Sequence, residues 1–259
     1  FVSHAAMLES PLPKDLIDFY YVNTDTGAPE LAVHIASEVV KLDPTMAVLI
    51  MRCRVPRTFI DCNRNLDATP EEFKAGGVAP GLMPWVTSER DRALLVDRHR
   101  RYYSAVCAAA DAMPADGAML LMHTYAPRTV GVQVDLNIVN SLHAAYAPDV
   151  EPTWPLRPEM DIIGRGPNGE QLAPVAVCDA LRDELAAIDM KLGDSTTYPL
   201  HPSTLGWHHA VRKPGRSLCL EVRRDLVVDR FIPFAEAKID PARVARLSPP
   251  IARALLRWW

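Results

Sequence analysis

Two ionisable residues sit at or inside apolar runs. His123 directly follows Ala118–Met122 (AMLLM), and Glu221 lies within Leu218–Val222 (LCLEV). Burying a carboxylate in such a run costs on the order of several kcal/mol unless it is paired, so Glu221 asks for a partner or a reaction. A histidine ending a strand is more often a satisfied structural residue. In an open α/β sheet, however, the carboxyl ends of strands open onto the site crevice, where the two could meet.

A third cluster is Arg57-Thr-Phe-Ile-Asp61-Cys-Asn63-Arg64. Alternation along an extended segment would put Arg57, Phe59 and Asp61 on one side. Asp61 could then brace an arginine, with Asn63 and Arg64 offering donors to a carboxylate, which a guanidinium grips through two parallel hydrogen bonds. The plain alternative is a surface ion-pair network. A fourth element is His4, in Phe1-Val-Ser-His4. A catalytic zinc needs three protein ligands and one open position for water. His4 and His123 would supply two nitrogens, and the third ligand should be a carboxylate, either Asp25 or Glu9.

These residues need elements to position them. Ala47–Met51 (AVLIM), Ala118–Met122 and Leu218–Val222 read as buried strands. Helices are expected over Pro29–Leu42, from a Ser88/Asp91 capping box to about Met113, and over Ala173–Leu192. Arg243–Trp259 should form two short helices divided at Pro249-Pro250. The alternation predicts an α/β fold: one domain over residues 1–259, with a Pro/Gly-rich loop or insertion at about 144–174. Gly164-Arg-Gly166-Pro-Asn-Gly169 satisfies GxGxxG formally, but Pro167-Asn168-Gly169 reads as a tight turn rather than a dinucleotide loop.

Five stretches in order resemble the N-formylglutamate amidohydrolase family, which is related to the zinc carboxypeptidases and aspartoacylase. They are Val2-Ser-His4-Ala-Ala, Asp25-Thr-Gly-Ala-Pro-Glu-Leu-Ala32, Arg57 through Arg64, His123-Thr-Tyr-Ala-Pro127 and Glu221-Val-Arg-Arg-Asp-Leu226. The resemblance spans nearly the whole chain. It implies a mixed, largely parallel sheet flanked by helices and a zinc-dependent amidohydrolase acting on an N-formyl or N-acyl amino acid. It implies His4, Asp25 and His123 as zinc ligands, with Glu9 the rival carboxylate, since the H-x-x-E pair of the related hydrolases has Met7 here. Glu221 would be the general base, Arg57 would polarise the carbonyl, and Asn63 with Arg64 would clamp a substrate carboxylate. A zinc peptidase, a deacylase of a specialised metabolite and a non-catalytic carboxylate-binding relic are the alternatives.

Composition narrows the partners. A net charge of −4 leaves no electrostatic footprint for nucleic acid or anionic lipid. No apolar run reaches about 18 residues, so no spanning helix is expected. The five cysteines show no CxxC spacing, which disfavours a disulfide framework and a structural zinc knot. No GxSxG elbow appears. The partner expected is a small carboxylate-bearing amide, with no nucleic acid and no membrane, in the cytoplasm.

Overall fold

The computed structural model describes residues 1–258. In chain order the helices are α1 (Val2–Ala5), α2 (Leu16–Asn23), α3 (Ala28–Leu42), α4 (Pro70–Ala75), α5 (Glu89–Ala112), α6 (Ile138–Ala145), α7 (Val175–Ala186), α8 (Leu205–Arg212) and α9 (Pro241–Leu256). The strands are β1 (Met119–Tyr125), β2 (Met160–Ile162), β3 (Leu192–Asp194) and β4 (Ser217–Arg223). They form one sheet in the order β1-β4-β2-β3. β1 pairs parallel with β4, and β2 parallel with β3, while β2 and β4 run antiparallel. This is the mixed, largely parallel α/β sheet expected from the sequence.

The strand period of two divides this sheet into faces of different chemistry. Met160, Ile162, Leu218, Leu220 and Val222 are buried in the main core, with α3, α7 and α9 packed over them. Their alternates form a polar row across three strands, because His123 pairs with Glu221 and Glu221 with Asp161. A second core joins α2, α5 and α6 to the loop carrying Phe59 and Ile60, with Trp85 at its centre. A smaller one, with Leu200, Ala210 and Cys219, lies under α8.

Several elements differ from the sequence reading. Ala47–Met51 has no regular secondary structure and enters no ladder, and Val48, Leu49 and Ile50 are exposed. Apolar content marks a segment fit for a strand, but pairing also needs backbone register with a neighbour, and Ala47–Met51 makes none although the outer edge of β1 is open. The region read as an insertion supplies β2, which lies between β4 and β3. The helix expected over Ala173–Leu192 ends at Ala186, and Leu192–Asp194 is strand, reached through Asp189 at φ 57°. Ser88 makes no side-chain cap. Asp91 instead accepts bonds from the Glu9 and Ser10 amides and the Ser10 hydroxyl, at 2.7–2.8 Å, tying the N-terminal segment to α5.

α9 runs unbroken through Pro249 and Pro250. Each proline withdraws a donor from the helical ladder, but Val244, Leu247, Pro250, Ile251 and Leu255 are buried on one face, and this packing offsets the loss. Trp259 lies outside the described residues. The Gly164–Gly169 string forms a turn closed by a Gly166 N–H to Glu170 bond and an Arg165–Gln171 bridge, as its prolyl composition suggested. It precedes no phosphate-facing helix start. No helix among the described residues is long and apolar enough to cross a membrane.

Candidate active site

Asp25 lies in the turn between α2 and α3. The Thr124 hydroxyl of β1 pins this turn by donating to Thr26 O at 2.9 Å. Gly27 follows at φ +92°, a conformation that favours glycine, and a Cβ there would meet Val227 Cγ2 at 2.5 Å. The close packing that requires glycine holds Asp25 beside the end of β1. There His123 Nδ1 lies 2.9 Å from Asp25 Oδ2. An ionised carboxylate only accepts, so Nδ1 carries the proton.

The Arg57–Asp61 segment is a turn rather than the extended run expected, closed by the Phe59 and Ile60 amides on Pro56 O. Phe59 and Ile60 are buried in the second core, which turns Arg57 and Asp61 toward each other. Arg57 donates through Nη1 to Asp25 Oδ1 at 2.6 Å, and through Nε and Nη2 to Asp61 Oδ2 at 3.1 and 2.9 Å. Asp61 also accepts from Asn63 N at 2.8 Å and faces Arg64 Nη2 at 3.2 Å.

Charge follows geometry. Burial would raise the Asp25 carboxyl, but Arg57 and the His123 hydrogen bond outweigh it and hold the group at about 2. Burial opposes ionisation of Asp61 as well, yet Arg57 and Arg64 keep it well below the usual carboxylate range. Burial would lower His123, but the bond and charge of Asp25 raise it overall. Glu221 moves the other way. Burial and the Asp25 charge lift its carboxyl above the usual range, against the pull of His123, Tyr198 and Arg57. Two carboxylates near one imidazole are thus driven apart, the separation that acid–base chemistry needs.

One cleft of about 1750 Å³ is lined by His4, Asp25, Arg57, Asp61, Asn63 and His123. Asp25, His123 and Arg57 come together on its wall, whereas Glu221, buried beside His123 in the sheet and felt electrostatically by all three, is not among the lining residues. His4 shares the cleft wall on α1, and burial together with the nearby charge of Arg98 lowers its pKa. Glu9 lies elsewhere: its carboxylate pairs with Arg90 at 3.2 Å. Asn63 Oδ1 accepts from Gly206 N at 3.1 Å. Arg64 faces inward, donating to Ala79 O and Asn63 O at 3.0 and 3.1 Å, so it braces the loop that carries Asp61.

Asp25 and His123 fit a divalent ion as far as two donors can. Oxygen and nitrogen donors about 2.0–2.1 Å from one tetrahedral ion stand roughly 3.3 Å apart, and an ion would take the place of the proton these two share. The third donor is not gathered. Among the described residues no three of His, Cys, Asp or Glu stand close enough to hold an ion.

Two participants escaped sequence reading. Tyr198 donates its phenolic hydrogen to Glu221 Oε1, while Oε2 is buried with no partner. Arg224 is buried beside Asp25, donates to Val22 O at 2.5 Å, and keeps an Nε–H without an acceptor. Its burial pulls its pKa down to about 10. Arg224 stood within a quoted motif, whereas nothing in the local pattern of Ser195-Thr-Thr-Tyr198-Pro marks a tyrosine 23 residues before Glu221.

No protein-family model and no curated protein matches the chain. Among solved structures it is similar to a gene product of Agrobacterium tumefaciens, with 14% identity, TM-score 0.50, and coverage of 91% of this chain and 79% of that one. It is also similar to an N-formylglutamate amidohydrolase from Ralstonia eutropha JMP134, with 18% identity, TM-score 0.47, and coverage of 78% and 72%. At such identities the first of these shows a shared α/β fold and nothing beyond it.

Proposed function

We propose that the chain is a zinc-dependent amidohydrolase that cleaves a small N-formyl or N-acyl amino acid at the Asp25–His123–Glu221–Arg57 cluster. The observation that carries this reading is Glu221: a buried carboxylate, raised in pKa, paired in register with His123, with one oxygen lacking any partner. Buried carboxylate oxygens are as a rule hydrogen-bonded; Asp194 also has an orphaned oxygen, but its other oxygen is held in an ion pair with Arg165, whereas Glu221 receives only a phenol.

In this reading Asp25 and His123 would hold the ion, and His4, on the wall of the same cleft but not within reach of that ion as folded, would have to move in to complete the set. Zinc would supply a water whose pKa is lowered toward about 7. Glu221 accepts a proton at its unpartnered Oε2 and returns it to the departing amine. Arg57, fixed by Asp25 and Asp61 on either side, is held ready for negative charge developing on the scissile carbonyl oxygen.

Amine release from zinc-supplied protein tests this on a panel of N-formyl and N-acetyl amino acids and dipeptides. Release from the acylated amino acids supports the reading. Release from dipeptides alone makes the chain a peptidase. No release, with melting raised by amino acids, makes it a carboxylate-binding protein and removes hydrolysis.

A further inference from the structure

The loop after β3 is built in an unusual way. Ser195 adopts φ +51°, which favours glycine, and is held there by its surroundings. Its amide donates to Ile162 O at 2.7 Å, and its hydroxyl accepts from the Gly164 and Arg165 amides at 3.0 and 2.9 Å. The next two amides, Thr196 and Thr197, donate to the carboxylate of Asp161 at 3.2 and 2.8 Å. Asp161 is wholly buried and is the register partner of Glu221. Gly193 leaves room for it, since a Cβ there would meet Asp161 Oδ1 at 2.6 Å and Thr196 Oγ1 at 2.8 Å. The residue so delivered is Tyr198, extended ahead of Pro199, with its phenol on Glu221 Oε1.

We propose that Tyr198, set in place by Asp161 through the Thr196 and Thr197 amides, is the positioning residue of Glu221: it fixes Oε1 and so directs Oε2 toward the reacting proton. The inference rests on the amidohydrolase reading for its catalytic consequence, but not for the pairing itself. A carboxylate with two free oxygens can rotate about its last bond. Once one oxygen is anchored from the loop side, the other has a single direction. Asp161 holds this loop as a buried acid whose two oxygens both accept from backbone amides.

Two measurements test this. With tyrosines carrying a ¹³C label at the ζ position, the Tyr198 resonance, assigned by its loss in Tyr198→Phe, should move in Glu221→Gln, while the other tyrosines stay in place. Tyr198→Phe keeps the ring, so it should fold, with melting lowered by the lost buried hydrogen bond, and kcat should fall roughly a hundredfold with KM unchanged. Asp161→Asn should lower kcat in the same sense. A Tyr198 signal indifferent to Glu221→Gln overturns the inference whatever the activity, as does full kcat in folded Tyr198→Phe. A wild-type protein inert toward every amide, with the signal still moving, defeats the amidohydrolase reading and upholds the pairing.

Discussion

Replacing Asp61 by Asn should destabilise the protein by about 3 kcal/mol, because it strands a buried positive charge. The Asp61 side chain is 3% exposed and receives Arg57 and Arg64 together. Breaking a buried ion pair by removing one partner costs roughly 3–5 kcal/mol. Arg57 contributes little of this, since its side chain is 32% exposed and it keeps Asp25 at 2.6 Å. Arg64 contributes most: at 7% exposure it keeps two carbonyl acceptors but loses its ion-pair partner. The lower end of the range follows. For a chain of this size that lowers Tm by about 6–12 °C. Urea unfolding at pH 7 should show a lower midpoint with an unchanged slope. Asp43→Asn, whose carboxylate serves only exposed Thr45, should stay within about 0.5 kcal/mol. Adding Arg64→Met to Asp61→Asn should recover part of the loss by removing the stranded charge. A loss below about 1 kcal/mol in Asp61→Asn would refute the claim that Asp61 holds a buried cation in place.

Gly27→Ala should destabilise by about 1 kcal/mol or more, read by urea titration, since φ +92° and the 2.5 Å approach to Val227 both oppose a side chain. Equal stability would remove the packing argument for the Asp25 turn. Asp91 is held below its ordinary pKa by the Ser10 hydroxyl and the Ser10 and Glu9 amides, against the cost of burial. A depressed folded pKa gives stability that is complete above the unfolded value near 4 and is lost as pH falls through the folded one. Asp91→Asn should therefore narrow its stability gap to wild type as the pH drops below about 4. A gap that widens there contradicts the assignment. His123→Ala should lose bound zinc by elemental analysis, and full occupancy would strike it from the ligand set.

The chemistry of the site was more legible than its assembly. His123 and Glu221 stood out because polar residues at the end of, or inside, apolar strands need a reason, and the register that pairs them follows from two strands lying side by side. Apolar runs identified β1 and β4 for the same reason. They failed at Ala47–Met51: the outer edge of β1 is open, yet the segment forms no ladder with it, because joining a sheet takes backbone register as well as apolar content. Pro249 and Pro250 suggested a break that the buried face of α9 overrides, a tertiary effect invisible to local propensity. Asp91 looked like a helix cap because spacing alone cannot tell a cap from a tie to the distant Ser10. Tyr198 was hidden more deeply. It reaches Glu221 only through a loop whose shape is set by Ser195 and Asp161, three-dimensional facts with no sequence period. The inward turn of Arg64 was likewise illegible, because an arginine near a carboxylate motif reads the same whether it faces ligand or protein.

The most direct test of the central claim is product release by wild type and Glu221→Gln, side by side, on the best N-acyl amino acid at saturating concentration. The account predicts free amine and carboxylate in equal amounts from wild type. It predicts a fall in kcat of roughly a hundredfold or more in the folded variant, with its zinc retained. Undiminished turnover in Glu221→Gln would contradict it.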